Sequence, residues 1–135
     1  MLLNCGFARV ARKCGLTDRA ILSAALEIEA GLVDARLGGF LIKKRIGIDG
    51  RGKSGGLRTI LAHRQADRMV FLYLFAKNER DNITDQERQA LSELDDEYML
   101  LTAGQLSDLL HDGILTEVLC DDKANGGQPD TLRGP

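Results

Sequence analysis

An unbroken run of apolar and aromatic residues at positions 69–76 (MVFLYLFA) is the feature that most limits the possible folds of this chain. Its aromatic and β-branched side chains favour an extended backbone, and the lack of polar alternation is typical of a strand buried on both faces. The chain has 135 residues, which is enough for one domain with a core of its own. The run therefore predicts the central strand of a sheet.

Two segments upstream of this run are candidates for its neighbours. Residues 40–48 alternate, with Lys43 and Arg45 on one face and mostly apolar residues on the other, which predicts a strand. Residues 57–63 fit either a helix or a strand. Because a turn at residues 65–67 joins them closely to the central run, an antiparallel hairpin is the economical interpretation.

Helical patterns lie on both sides of the strands. Residues 6–13 predict a short helix, and Thr17 caps a second one that ends at Gly31 or at the glycine pair 38–39. Capping boxes that begin at Thr84 and Thr102 open two more helices after the strands.

The fold prediction is an α+β domain with N-terminal helices packed on an antiparallel sheet of three to four strands, followed by C-terminal helices. Residues 1–6 are short and show no alternation, so either the sheet lacks a strand ahead of the first helix, or the start is shifted or degenerate. We expect the domain to span residues 1–119 and the polar residues 120–135 to form a disordered tail.

Charge is strongly segregated along the chain, although the net charge is only −2. Residues 36–80 carry eleven basic and three acidic side chains, whereas residues 81–135 carry three basic and thirteen acidic ones. A surplus of this size in the middle of the chain indicates a polyanionic partner. The alternative is that the two blocks neutralise each other across the fold.

Several classes of protein do not fit the composition. No apolar run is long enough to cross a bilayer, and the first residues lack the pattern of a signal peptide. Three cysteines with no C-x-x-C spacing suit a reducing compartment, and two histidines argue against a structural zinc site. We therefore expect a cytoplasmic protein with no membrane partner, no metal and no cofactor.

Residues 47–54 (GIDGRGKS) match the Walker A pattern of nucleotide-binding loops. The context argues against that function, because Gly55 and Gly56 occupy positions where a helix would have to begin. No later apolar strand ends in an aspartate that could serve as Walker B. We interpret residues 47–56 as a flexible basic loop between strands.

Four ordered blocks carry a resemblance to a known family: residues 29–39 (EAGLVDARLGG), 42–45 (IKKR), 50–59 (GRGKSGGLRT) and 75–83 (FAKNERDNI). They resemble RelE-family toxins of HigB-like type II toxin–antitoxin systems, and the similarity runs from about residue 7 to residue 118. The resemblance implies a small domain of helices and strands that cleaves mRNA, usually on the ribosome. It also implies a cognate helix-turn-helix antitoxin that neutralises the toxin.

The resemblance also indicates which residues form the active surface. A ribonuclease without a metal needs cations to stabilise the charge that develops on the phosphate during cleavage. We assign Arg58 to the scissile phosphate and Lys43 or Lys77 to proton transfer, and we expect Arg58 and Lys43 to be exposed. The residues assigned to RNA binding are Lys44, Arg45, Arg51, Lys53 and Arg80.

Alternatives remain for both residues and function. Lys44 lies on the apolar side of its strand, where it could simply extend its ammonium group to solvent. His63 is a general base or a satisfied polar residue, and Tyr73 and Tyr98 are interpreted as packing residues. Arg80 could fasten the following loop instead of binding RNA. The alternative functions are a ParE-like toxin that binds DNA gyrase without catalysis and a catalytically impaired family member.

Overall fold

The computed structural model describes residues 1–48, 52–65, 67–76 and 82–118, with side chains described for all of these except residues 48 and 52–55. The expected tail at residues 120–135 lies outside the described residues. The elements in chain order are β1 (Leu2–Asn4), α1 (Cys5–Cys14), α2 (Asp18–Glu29), β2 (Ala35–Gly38), β3 (Leu41–Ile48), β4 (Gly52–Arg64), β5 (Arg68–Ala76), α3 (Asp85–Leu100), α4 (Ala103–His111) and β6 (Leu115–Glu117).

The strands form one six-stranded sheet in the order β2-β3-β4-β5-β1-β6. The pairings β2–β3, β3–β4, β4–β5 and β1–β6 are antiparallel, whereas β1 runs parallel to β5. The predicted α+β class and the β4–β5 hairpin are confirmed. The sheet has more strands than the three or four expected, because β1, β2 and β6 are too short for alternation to show.

Of the alternatives for residues 1–6, the loss of the strand is wrong, because a short strand, β1, precedes the first helix. β1 lies between β5 and β6 and is therefore an internal strand of the sheet. Leu2 and Leu3 are both buried, one on each face. A strand of three residues that is covered on both sides has no polar position with which to alternate.

The prediction of a loop at residues 47–56 is wrong for most of these residues. β3 continues to Ile48 and β4 begins at Gly52, with these two residues paired. A side chain at Gly56 would collide with the backbone oxygen of Ile46, so a glycine there lets the strands pair closely. The strand also includes residues 53 and 54, which is incompatible with the helix that a Walker A loop requires there.

Helices cover both faces of the sheet. On one face, α1 and α2 pack over a core that includes Phe7, Ile21 and Phe71, which we call the α1/α2 face. On the other, α3 and α4 pack over a second core that includes Ile60 and Tyr98, which we call the α3/α4 face. β5 contributes to both cores, which confirms the predicted central strand.

The predicted helix caps are confirmed. Thr17 accepts a hydrogen bond from Ala20, and both Thr84 and Thr102 form complete capping boxes. Of the two glycine stops proposed for the second helix, the first is correct, because α2 ends at Glu29. In the part of the chain that the structure describes, no helix has the length and apolarity needed to span a membrane.

Candidate nucleic-acid interface

Strands β3 and β4 bring three cationic residues together on the α3/α4 face. Lys43 and Arg45 are two positions apart on β3 and therefore point the same way, as the alternation predicted. The antiparallel register places Arg58 of β4 directly opposite Arg45. Lys43 lies diagonally across from Arg58, a separation that long side chains span easily.

These three residues and Asp34 line an open cleft of about 370 Å³. Asp34 immediately precedes β2, and its backbone N–H donates to the carbonyl of Lys43 at 3.0 Å. The cleft therefore forms where the hairpin β2–β3 meets β4, with three positive side chains and one negative one. We call this group of residues the cationic cleft.

Arg58 is the most buried cation of the cleft. Its side chain was expected to be exposed, and this expectation is wrong, because the residue is only 8% exposed. Its Nη1 atom is buried and has no hydrogen-bond partner among the described residues. An unpartnered buried donor costs about 1–3 kcal/mol of folding free energy, and more when the group is charged.

The pairing of Arg45 with Arg58 adds a second unfavourable contribution. Like charges placed directly opposite each other on neighbouring strands destabilise a sheet. An anion in the cleft, which Arg58 and Arg45 both line, would reduce this repulsion. The cleft therefore combines a surplus of positive charge with a buried donor that has no described partner.

Arg45 is held by a carboxylate. Oδ2 of Asp34 accepts from the backbone N–H of Arg45 at 2.7 Å, and Oδ1 accepts from its Nε at 3.0 Å. Burial raises the pKa of Asp34, but the hydrogen bonds from Arg45 and the charges of Arg45 and Lys44 outweigh it and lower the pKa below the ordinary value. Asp34 is therefore ionised at neutral pH.

Lys43 is the cation of the cleft with the most freedom to contact a ligand. It is half-buried, and its ammonium group has neither a hydrogen bond nor an ion pair with any described residue. Its position on the same face as Arg45 follows from the pleat of β3. It can therefore reach either a phosphate oxygen or a reacting hydroxyl group bound next to Arg58.

Lys44 belongs to the opposite face and is not part of the cationic cleft. It is 4% exposed, and its Nζ contacts Oε1 of Glu27 at 2.6 Å and the carbonyl of Leu32 at 2.9 Å. The assignment of Lys44 to RNA binding is therefore not supported by its position, and neither is the alternative of an ammonium group extended to solvent. Its contacts join β3 to α2.

The remaining candidates cannot be placed. Lys77, Arg80 and Arg51 lie outside the described residues, and Lys53 lies in β4 at a position whose side chain is not described. Their assignments stay predictions.

The other polar and aromatic candidates behave as packing residues. His63 lies on the α1/α2 face with its Nε2 3.2 Å from Oε2 of Glu29, so the satisfied polar interpretation is confirmed. The hydroxyl of Tyr73 donates to Glu87 at 3.0 Å, as expected for a core residue with a hydrogen-bonded tip. Tyr98 is 3% exposed, which confirms its packing role.

Mutual neutralisation of the two charge blocks stays an alternative. None of the ion pairs found between described residues joins the basic middle of the chain to the acidic residues 82–118. The pairs found are Lys44–Glu27, Arg45–Asp34, His63–Glu29 and Arg64–Asp67. Within the same residues, no group of three or more histidine, cysteine, aspartate or glutamate side chains is placed to hold a metal.

Sequence reasoning missed Asp34 as a residue of the cleft. It is an isolated acidic residue in a segment that showed no strand pattern, and only the pairing of β2 with β3 brings it to Arg45. The only signal in the sequence is that Asp34 lies within the first family-like block, residues 29–39. Nothing in the spacing of Asp34 connects it to the basic strand.

A family model described as the RelE toxin of the RelE/RelB toxin–antitoxin system matches residues 1–118. The chain belongs to the RelE toxin family. A search of curated proteins found no match. Membership in the RelE family makes the chain a toxin of a toxin–antitoxin system with an antitoxin as its partner, and it confirms the resemblance identified in the four sequence blocks.

Proposed function

We propose that this RelE-family toxin is a metal-independent mRNA endoribonuclease that acts on ribosome-bound mRNA in the cytoplasm and thereby inhibits translation. Its antitoxin is proposed to carry a helix-turn-helix domain. The observation that carries the proposal is the buried guanidinium of Arg58, which lies opposite Arg45 and lacks a described partner for Nη1. A backbone phosphate bound in the cleft, which Arg58 lines, supplies the missing negative charge.

The proposed reaction uses the substrate's own nucleophile. The 2′-oxygen of a ribose attacks the adjacent phosphorus, a new P–O2′ bond forms and the P–O5′ bond breaks. The products are a 2′,3′-cyclic phosphate and a 5′-hydroxyl group. One proton leaves the 2′-hydroxyl group and another is delivered to the departing 5′-oxygen.

Each cation of the cleft has a role in this reaction. Arg58 contacts the non-bridging oxygens of the scissile phosphate, where negative charge accumulates in the transition state. Arg45 holds a neighbouring phosphate, since its side chain is 45% exposed at the mouth of the cleft. Lys43, or Lys77, exchanges protons with the reacting oxygens. Arg51, Lys53 and Arg80 are proposed to contact flanking RNA.

The first experiment measures cleavage with purified protein and defined RNA. We expect wild-type protein to cut mRNA on programmed ribosomes and to leave 2′,3′-cyclic phosphate and 5′-hydroxyl ends. Cleavage of free RNA, where detectable, should persist when EDTA removes divalent cations. Absence of cleavage on ribosomes and on free RNA, together with inhibition of DNA gyrase, would support the ParE-like alternative and contradict the proposal.

A pair of lysine variants tests the site. Lys43→Ala should lower the cleavage rate by about 10²-fold, the usual contribution of a group in proton transfer. Lys13→Ala is the matched control, because Lys13 is an exposed lysine in the last turn of α1, away from the cleft. Equal rates for the two variants would show that Lys43 does not act in cleavage.

A further inference from the structure

We infer that Asp34 is a positioning residue, which fixes the guanidinium of Arg45 so that its two terminal amino groups face an RNA phosphate in the cationic cleft. The inference rests on the proposed function and adds to it a residue that acts through Arg45 rather than on the RNA. It assigns a function to the single carboxylate among the four described residues that line the cleft.

The contacts of Asp34 define one arrangement of Arg45. One carboxylate oxygen binds the backbone N–H of Arg45, and the other binds its Nε. The carboxylate therefore anchors both ends of the same residue, and the hydrogen bond from the N–H of Asp34 to the carbonyl of Lys43 fixes the aspartate itself. An exposed arginine otherwise loses substantial rotamer freedom when it binds a ligand.

The way in which Asp34 binds Arg45 leaves the phosphate-binding side of the guanidinium free. An arginine has five N–H donors, and Nε contributes only one of them. Since the described contact is to Nε, the pair of terminal amino groups remains available for two phosphate oxygens at once. Bidentate contacts of this kind give both strength and direction.

The charge of Asp34 also fits a positioning role better than proton transfer. A carboxylate held ionised by Arg45 is a weak base, and it is already occupied by two donors. Its negative charge offsets part of the repulsion between Arg45 and Arg58, which lie opposite each other. Removal of the charge should therefore disturb the geometry of the cleft without removing a cation that contacts RNA.

A double-mutant cycle on RNA cleavage tests the inference. Asp34→Ala should lower the cleavage rate on the order of tenfold, as is usual for residues that orient a functional group. In an Arg45→Ala background the same change should alter the rate by less than about twofold, because the group through which Asp34 acts is gone. Equal effects in the two backgrounds would overturn the inference.

RNA binding provides a readout that a purely structural defect would change in a different way. The probe is a fluorescent 2′-O-methyl RNA, which lacks the nucleophile and stays intact. Arg45→Ala should reduce the slope of log affinity against log salt by about 0.7, the value for one lost phosphate contact on a single strand. Asp34→Asn should leave this slope unreduced while it slows cleavage. A slope reduced as much as that of Arg45→Ala would contradict the inference.

Two controls separate the possible failures. Asp34→Asn retains an oxygen that can accept a hydrogen bond from the backbone N–H of Arg45, so it tests the positioning role even if Asp34→Ala does not fold. Asp108→Asn on α4 is the matched change at an exposed site. Wild-type protein that fails to cleave RNA overturns the proposed function, and with it this inference. Wild-type protein that cleaves, with Asp34 variants of normal rate or additive effect, overturns the inference alone.

Discussion

Arg58 and Asp95 are two buried charged residues, each with one polar atom that has no partner among the described residues. Their surroundings differ. Arg58 lines an open cleft with two other cations, whereas Asp95 is a buried residue of α3 itself and accepts a hydrogen bond from the backbone N–H of Phe40 at 3.0 Å. We therefore interpret Arg58 as a ligand-binding residue and Asp95 as a structural one that holds the β2–β3 turn.

Asp95 makes the stability of the protein dependent on pH. Burial raises its pKa above the ordinary value of 3.8, and repulsion from Asp96 adds to this, while the hydrogen bond from Phe40 opposes it. A carboxyl group whose pKa is raised in the folded state adds to the free energy of unfolding, and this addition is fully present below pH 3.8, the ordinary pKa of the group. The addition is lost as the pH rises through the folded-state pKa.

We therefore expect Asp95→Asn to raise the melting temperature at pH 7 and to change it little at pH 3.5. The amide oxygen can still accept from Phe40, while the charge that burial disfavours is removed. Thermal unfolding followed at both pH values checks this, with Asp108→Asn as the exposed control. A loss of stability of similar size at both pH values would show that burial of the charge is not the deciding effect.

At the scale of elements, the sequence predicts the long strands and the helices whose N-termini carry a capping threonine. The alternation of β3 revealed that Lys43 and Arg45 share a face, and the threonine caps located α2, α3 and α4. Strands of three or four residues carry no such pattern, and β1, β2 and β6 became visible only through their pairing partners. Asp34 was missed for this reason, because its contact with Arg45 depends on β2.

The burial of Arg58 was unpredictable for a related reason. The sequence left residues 57–63 open between a helix and a strand. The neighbours of Arg58 also depend on the register of β4 with β3 and on the cover provided by the rest of the fold. The structure brings Lys43, Arg45 and Arg58 together on one face, whereas Lys44, which was assigned to RNA binding, faces α2. The catalytic and RNA-binding assignments themselves stay predictions.

The β2–β3 turn tolerates little change. Gly39 has a φ of +55°, and a side chain there would lie 2.8 Å from Oδ2 of Asp95. We expect Gly39→Ala to lower the free energy of unfolding by about 1–2 kcal/mol, the cost of a left-handed backbone for a residue with a Cβ, together with a weaker contact between Asp95 and Phe40.

Gly104→Ala is the control for this prediction. Gly104 lies in the first turn of α4, where an added Cβ would be 3.9 Å from the hydroxyl of Thr102, and alanine favours helix formation there. Chemical denaturation should show a loss for Gly39→Ala and no loss for Gly104→Ala. Equal stability of wild type and Gly39→Ala would contradict the described role of the turn.

At the scale of the whole molecule, the cationic cleft opposes folding. Two arginines lie opposite each other, one of them is buried with an unpartnered nitrogen, and one carboxylate partly compensates them. Proteins often retain such destabilising groups where function needs them, so that their replacement raises stability and lowers activity. The account therefore predicts that stability and activity change in opposite directions when Arg58 is replaced.

The most direct measurement is a comparison of Arg58→Met with the wild type in thermal unfolding and in cleavage of ribosome-bound mRNA. The methionine fills much of the same space without a charge or a donor, so we expect the free energy of unfolding to rise by about 1 kcal/mol. Cleavage should fall by about 10²-fold or more, because the scissile phosphate loses its main electrostatic contact. A variant that is less stable than the wild type, or one that cleaves at the wild-type rate, would contradict the account.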